Sequence, residues 1–358
     1  MRSIYFPNLN GLRFFAALSV MIYHFFGIDV INGHFGVVLF FVLSGFLITY
    51  LLLEEKSQTN NIAIRKFYIR RILRIWPLYF FILFLASLSY FFIGPQNGNY
   101  QDALPYYLFF APNIAFSLDL TIRYVQILWS VGSEEQFYLV WPWFIAKFQK
   151  QQFLIFLILI ITTWVLLPQT IDYINFHFLG ESSSIKVISK VIGRMGFGSM
   201  ATGAFLAYFA KFKPEKLLFI FSMQAQIGTL LVVISIWFLN PLPHTALSDQ
   251  IFATLFAVLI ANFALNPKVL ISLENKILNY LGKISFGLYV YHLMAFSLVR
   301  YMKVQLDISI PYVLLFFLGL ILTIIMASAS YQFLEKPFLK IKSKKYTTVK
   351  SSNDPGNI

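Results

Sequence analysis

The sequence predicts an all-α fold: a polytopic membrane bundle of about ten transmembrane helices with both termini cytoplasmic. Three observations carry this. Charged residues make up 12% of the 358 positions and apolar ones 58%, whereas a soluble domain carries about 25% charged residues. Apolar runs of roughly 17–24 residues, long enough for a hydrocarbon layer of about 30 Å, recur along the whole chain. With both ends inside, 21 of the 28 Lys and Arg residues fall on the cytoplasmic side and 5 on the outer side, with Arg13 and Arg194 within spans. That asymmetry is the one the positive-inside rule requires.

In order, the spans are placed at 10–28, 35–53, 76–94, 133–149, 152–168, 192–210, 217–238, 249–265, 284–300 and 311–334. The fourth is the most polar, with Glu134, Glu135 and Lys147 near its ends. A further apolar stretch at 103–118 is broken by Pro105, Pro112 and Asn113 and reads as a re-entrant or surface-lying segment. Residues 1–338 form one transmembrane domain, and 339–358 form a Lys/Ser-rich cytoplasmic tail expected to be disordered. No cleavable signal pattern is visible, because Arg13 interrupts the first apolar run. The chain has no Cys, which excludes disulfides and thiolate chemistry. Its net charge of +13 follows from topology and does not call for nucleic acid.

The first span holds an arginine and a histidine, Arg13 and His24. Eleven residues at about 100° each return to within roughly 20° of the start, so both side chains share one helix face, about 16 Å apart along the axis. Ionisable groups in hydrocarbon are costly, and function is their default reading. The topology puts Arg13 near the cytoplasmic face, level with Arg70, Arg71 and Arg74, which lead into the third span. It puts His24 towards the outer side, at a depth similar to Glu134 in the fourth span. Arginines at an inner mouth suit an entering polyanion such as the phosphates of a nucleotide-derived carrier. Imidazole near a carboxylate suits removal of a hydroxyl proton.

Each element also has a purely structural reading. Basic clusters mark topology, a histidine at a helix end bonds at the interface, and a glutamate at a helix N-terminus favours the dipole there. His292 lies mid-span, where a core role and a functional one are equally open. His34, at the edge of the second span, and His177 and His244, in outer loops, carry no signal of their own.

Five motifs then occur in one order. They are LNGLRFFAALSVMIYHF, with Arg13 and His24; GVVLFFVLSGFLITY; RRILRIWPLYF; WSVGSEEQFYLVWP, with Ser130 and Glu134 in a Ser-x-x-x-Glu arrangement; and GKISFGLYVYH, ending at His292. A looser one, RMGFGSMATGAFLAY, contains Arg194. Together they resemble the acyltransferase-3 family, integral membrane O-acyltransferases of bacteria and some eukaryotes, across residues 9–338. Departures are small: Gly132 and Ser133 replace a more usual Ser-Val, and Lys283 stands where Arg is common.

The resemblance implies a multi-pass protein of the bacterial cytoplasmic (inner) membrane, a stand-alone member without the SGNH-type domain that some members carry. It implies an acyl-CoA donor, most often acetyl-CoA, no metal, and a hydroxylated acceptor such as a cell-surface polysaccharide, with membrane lipid around the bundle. Arg70, Arg71 and Arg74 would bind the donor. His24, Glu134 and Arg13 would be catalytic, His24 either as general base or as transient acyl carrier. Ser130, Tyr138, Arg194 and His292 would support the site. Asp102, Asp119, Asp172 and Glu181 lie in loops on the acceptor side. The rival reading is a proton-coupled secondary transporter or a lipid-linked glycan exporter, which the absence of an inverted repeat disfavours.

Overall fold

The computed structural model describes residues 4–27, 33–93, 99–239 and 245–349; His244 and the end of the tail lie outside them. Among the described residues the fold is all-helical, with no β-strand. Three long helices open it: α1 (Leu9–Phe26), α2 (His34–Thr59) and α3 (Ile64–Ile93). The proline-broken stretch forms two short helices, α4 (Tyr100–Leu108) and α5 (Pro112–Ser117), the latter packed on α6 (Leu128–Lys147). Then come α7 (Lys150–Phe178), α8 (Ser183–Arg194) and α9 (Phe197–Phe212). A 3₁₀ segment, Pro214–Phe221, leads to α10 (Met223–Leu239) and α11 (Ala246–Leu265). The chain closes with α12 (Lys276–Lys283), α13 (Ser285–Gln305), α14 (Tyr312–Ser330), a π-turn at Tyr331–Glu335 and α15 (Lys336–Lys345).

Among the described residues, six helices are long and apolar enough to cross a membrane: α1, α2, α3, α7, α11 and the α14–α15 run. A seventh is added if the 3₁₀ segment and α10, bent by 73° at their junction, count as one span. The remaining three predicted spans are α6, α9 and α13. At 16 residues, α9 reaches only about 24 Å. In α6 and α13 polar residues dilute the apolar pattern, among them Glu134 and Glu135 in one and His292, Arg300 and Lys303 in the other.

The most buried of the long apolar helices is α2, and it packs most extensively on α9. Glycine permits that approach. A Cβ on Gly45 would lie 1.9 Å from the Met200 carbonyl oxygen, and one on Gly203 would lie 2.0 Å from that of Val42. Small residues at a crossing let two helix backbones meet closely in a membrane bundle. At the other end, Asn8 ties the start of α1 to distant chain: its amide nitrogen donates to the Phe263 carbonyl at 2.8 Å, and its amide oxygen accepts from the Leu273 N–H. This fixes the level at which Arg13 enters the bundle.

The basic segment expected to lack structure from 339 is helical as far as Lys345. Beyond it, the Arg70 guanidinium donates to the Tyr346 carbonyl at 3.0 Å and to Thr348 Oγ1 at 2.9 Å. Arginine supplies several donors in a fixed fork, enough to hold a passing backbone and a hydroxyl together.

Candidate active site

Two cavities are both lined by residues from α1, α2, α6 and α13. The smaller, about 140 Å³, is lined by Arg13 of α1, Ser44 of α2, Arg71 and Arg74 of α3, and Ser130, Glu134 and Tyr138 of α6. The spacing explains the grouping. Residues three or four apart share a helix face, so 71 and 74 point together, as do 130, 134 and 138. The Glu134 carboxylate accepts from Ser44 Oγ at 2.8 Å and from the Tyr138 hydroxyl at 2.9 Å. A carboxylate out of water needs such donors. The Arg71 guanidinium lies 5.8 Å from the Tyr138 ring and 5.7 Å from that of Phe67, within cation–π range.

Arg70 does not line this cavity. Its guanidinium pairs with Glu55 at 3.3 Å and holds the Tyr346–Thr348 segment. One residue of helix turns a side chain by about 100°, which separates it from Arg71. Of the three arginines expected to bind a donor, two face the cavity.

The larger cavity, about 890 Å³, is lined by His24 of α1, His34, Trp129, Arg194 and Asp249, among others. Asp172 and Glu181 reach it, but Asp102 and Asp119 do not. Arg194 donates to the Phe116 carbonyl at 3.0 Å and to Ser117 Oγ at 3.1 Å, and its guanidinium lies 4.5 Å from the Phe116 ring. His34 Nε2 lies 2.8 Å from Asp249 Oδ1. This imidazole–carboxylate pair has no signature in sequence, since its members are 215 residues apart.

The two cavities follow one order along the helices. On α2 the larger is lined at His34 and the smaller at Ser44, Leu47 and Leu51. On α1 the sequence is reversed, Arg13 then His24, as antiparallel neighbours require. Val37, Phe41 and Tyr289 line both and form the partition. The Tyr289 hydroxyl donates to the Ile127 carbonyl at 3.0 Å and lies 2.9 Å from Ser130 Oγ, which completes the contact.

His24 and Glu134 are not partners. They line different cavities, and Glu134 is bonded to Ser44 and Tyr138. The His24 ring lies 5.2 Å from that of His292 between centroids. His292 is fully buried, and its Nδ1 lies 2.6 Å from the carbonyl oxygen of Tyr289. Sequence reasoning missed Ser44 and Tyr289. Both sit inside quoted motifs, at positions where a hydroxyl in an apolar helix was itself the signal.

With this geometry in view, the acyltransferase-3 family model, described as an acyltransferase domain, matches residues 6–331. The chain belongs to the acyltransferase-3 family. Similar proteins include "O-acetyltransferase OatA" of Staphylococcus aureus strain NCTC 8325 / PS 47, 28% identical over 373 residues that cover 94% of this chain and 57% of that protein. "Putative O-acetyltransferase SACOL0978" of S. aureus strain COL is 27% identical over 366 residues, covering 94% and 58%. The chain thus spans a little over half the length of the relatives it matches. No solved structure matches it.

Proposed function

We propose that this acyltransferase-3 protein is a membrane O-acyltransferase that moves an acyl group, acetyl by preference, from acyl-CoA to a hydroxyl of a carbohydrate acceptor. The supporting observation is the pair of cavities that share Val37, Phe41 and Tyr289, one lined by arginines and the other by His24. The two staphylococcal relatives, both named as O-acetyltransferases, agree with the reaction. In this reading all ten predicted spans cross the bacterial cytoplasmic membrane, with both termini and the arginine cavity inside and the His24 cavity outside.

Arg71 and Arg74, with Arg13, hold the phosphates of the donor at the inner cavity, where several donors match a phosphate's oxygens. The long, thin arm of the donor then carries the thioester to the partition. His24 takes the proton from the acceptor hydroxyl, and the freed oxygen attacks the thioester carbon. The new C–O bond forms as the C–S bond breaks, and the proton held by His24 passes to the departing thiolate. Such proton transfer contributes about 10²–10⁴-fold to rate. Glu134, held by Ser44 and Tyr138, balances the cationic wall of the donor cavity. Tyr289 and Ser130 keep the partition in place.

Incubating the purified protein with radiolabelled acetyl-CoA and a polysaccharide extract tests this directly. Label in the polysaccharide supports an acyltransferase. Label that stays entirely on the thioester, with the glycan itself crossing a vesicle membrane, supports the exporter instead.

A further inference from the structure

We infer that Val37, Phe41 and Tyr289 set the length of the acyl group that this protein transfers, by acting as a rigid aperture between the two cavities. The inference rests on the donor and acceptor assignment above. If the thioester arrives in the arginine cavity and the base stands in the other, the acyl group must meet its acceptor across the walls common to both.

Those three walls have little room to move. The Phe41 ring, 2% exposed, presses on Gly196, where an added Cβ would lie 2.3 Å from Phe41 Cε2. Gly196 has φ +64°, a conformation that glycine adopts at no steric cost, so the backbone there is shaped around the ring. On another side Phe41 meets the Trp129 ring edge-on at 6.2 Å. Val37 is β-branched and, within a helix, is restricted almost to one rotamer. Tyr289 is held at its hydroxyl by Ile127 and Ser130, and its ring meets Phe40 at 6.0 Å. Nothing in this set is a flexible side chain that could yield, as methionine does in adaptable pockets.

The chemistry itself does not discriminate between acyl lengths. In each case one C–S bond breaks, one C–O bond forms, and the hydroxyl proton ends on the thiol. Selection must therefore come from fit. A single methylene in an apolar pocket changes kcat/KM by about 10–200-fold, and a close-packed wall does not relax to admit one. Two methylenes beyond acetyl, as in a butanoyl group, are refused by this aperture.

The test compares acetyl-, butanoyl- and hexanoyl-CoA with one glycan acceptor, using the full chain. Wild-type protein is expected to favour acetyl over butanoyl by about 100-fold or more in kcat/KM. Phe41→Ala and Val37→Ala are each expected to move that ratio towards butanoyl by about tenfold or more. Leu157→Ala opens space within α7 outside both cavities and is expected to leave the ratio unchanged. Equal use of acetyl and butanoyl donors by the wild type overturns the inference. So does an unchanged ratio in both aperture variants, or an equal change in Leu157→Ala. Phe41→Leu serves the same comparison if Phe41→Ala fails to fold. Failure of the wild type to transfer from any thioester overturns the O-acyltransferase reading instead.

Discussion

The imidazole of His24 lies 5.2 Å from that of His292, ring centroid to ring centroid. His292 Nδ1 is 2.6 Å from the Tyr289 carbonyl oxygen, and a carbonyl only accepts, so Nδ1 carries the proton. Nε2 is then an unprotonated acceptor, buried with no hydrogen-bond partner among the described residues. We propose, from its position beside His24, that His292 positions the proposed base.

His292→Phe is accordingly expected to lower kcat by up to about 10²-fold, the effect of a small misplacement of a reacting group. KM for acyl-CoA should change little. His292→Gln restores an acceptor oxygen near the Nε2 position and should recover part of kcat. Steady-state kinetics of both variants checks this, and equal loss in the two would argue for packing alone.

The arginines divide by position, Arg71 and Arg74 facing the smaller cavity and Arg70 facing Glu55 and the Tyr346–Thr348 segment. Arg71→Gln and Arg74→Gln should each raise KM for acyl-CoA by about 10–100-fold, since a charge-assisted bond is worth about 1.5–3 kcal/mol and each 1.4 kcal/mol is tenfold. Arg70→Gln should leave KM alone and loosen the Tyr346–Thr348 segment that Arg70 holds. Limited proteolysis near the C-terminus, run beside the kinetics, separates the two effects.

Removing Glu134 strands two hydroxyl donors. Glu134→Ala should destabilise the protein more than Ser44→Ala or Tyr138→Phe, each of which deletes one bond to a carboxylate worth about 1.5–3 kcal/mol. Thermal unfolding in detergent, followed by tryptophan fluorescence, gives the order.

The α2–α9 crossing tolerates no side chain at Gly203. Gly203→Val would drive a methyl-bearing carbon into the Val42 carbonyl, and forced overpacking typically costs about 1–3 kcal/mol, occasionally more. Size-exclusion chromatography should show loss of monodisperse protein, whereas Gly228→Ala, where an added Cβ meets nothing within 4 Å, should behave as wild type.

Much of this was legible in the chain itself. The 3.6-residue period placed Arg13 and His24 on one face, and both reach cavities. Hydropathy found each long helix. The Ser-x-x-x-Glu spacing put Ser130 and Glu134 along one wall. The pairing of His24 with Glu134 failed for a measurable reason. The fourth span was begun at 133, which set Glu134 at the helix end, but α6 begins at Leu128. Five more residues of helix carry Glu134 about 7.5 Å deeper, past the partition and into the arginine cavity. The His34–Asp249 pair was invisible because hydropathy and spacing report on single helices and not on which helices meet. The helical start of the tail was missed because its lysines suggested solvation, yet Lys342 is almost fully buried.

The most direct measurement of the account is sidedness. Proteoliposomes with the termini facing inward would be loaded with radiolabelled acetyl-CoA, and the glycan acceptor added only outside. The account predicts labelled glycan outside, abolished by His24→Ala and diminished by Arg71→Gln. Label that forms only when donor and acceptor share one compartment would contradict a passage running from the arginines to the imidazole.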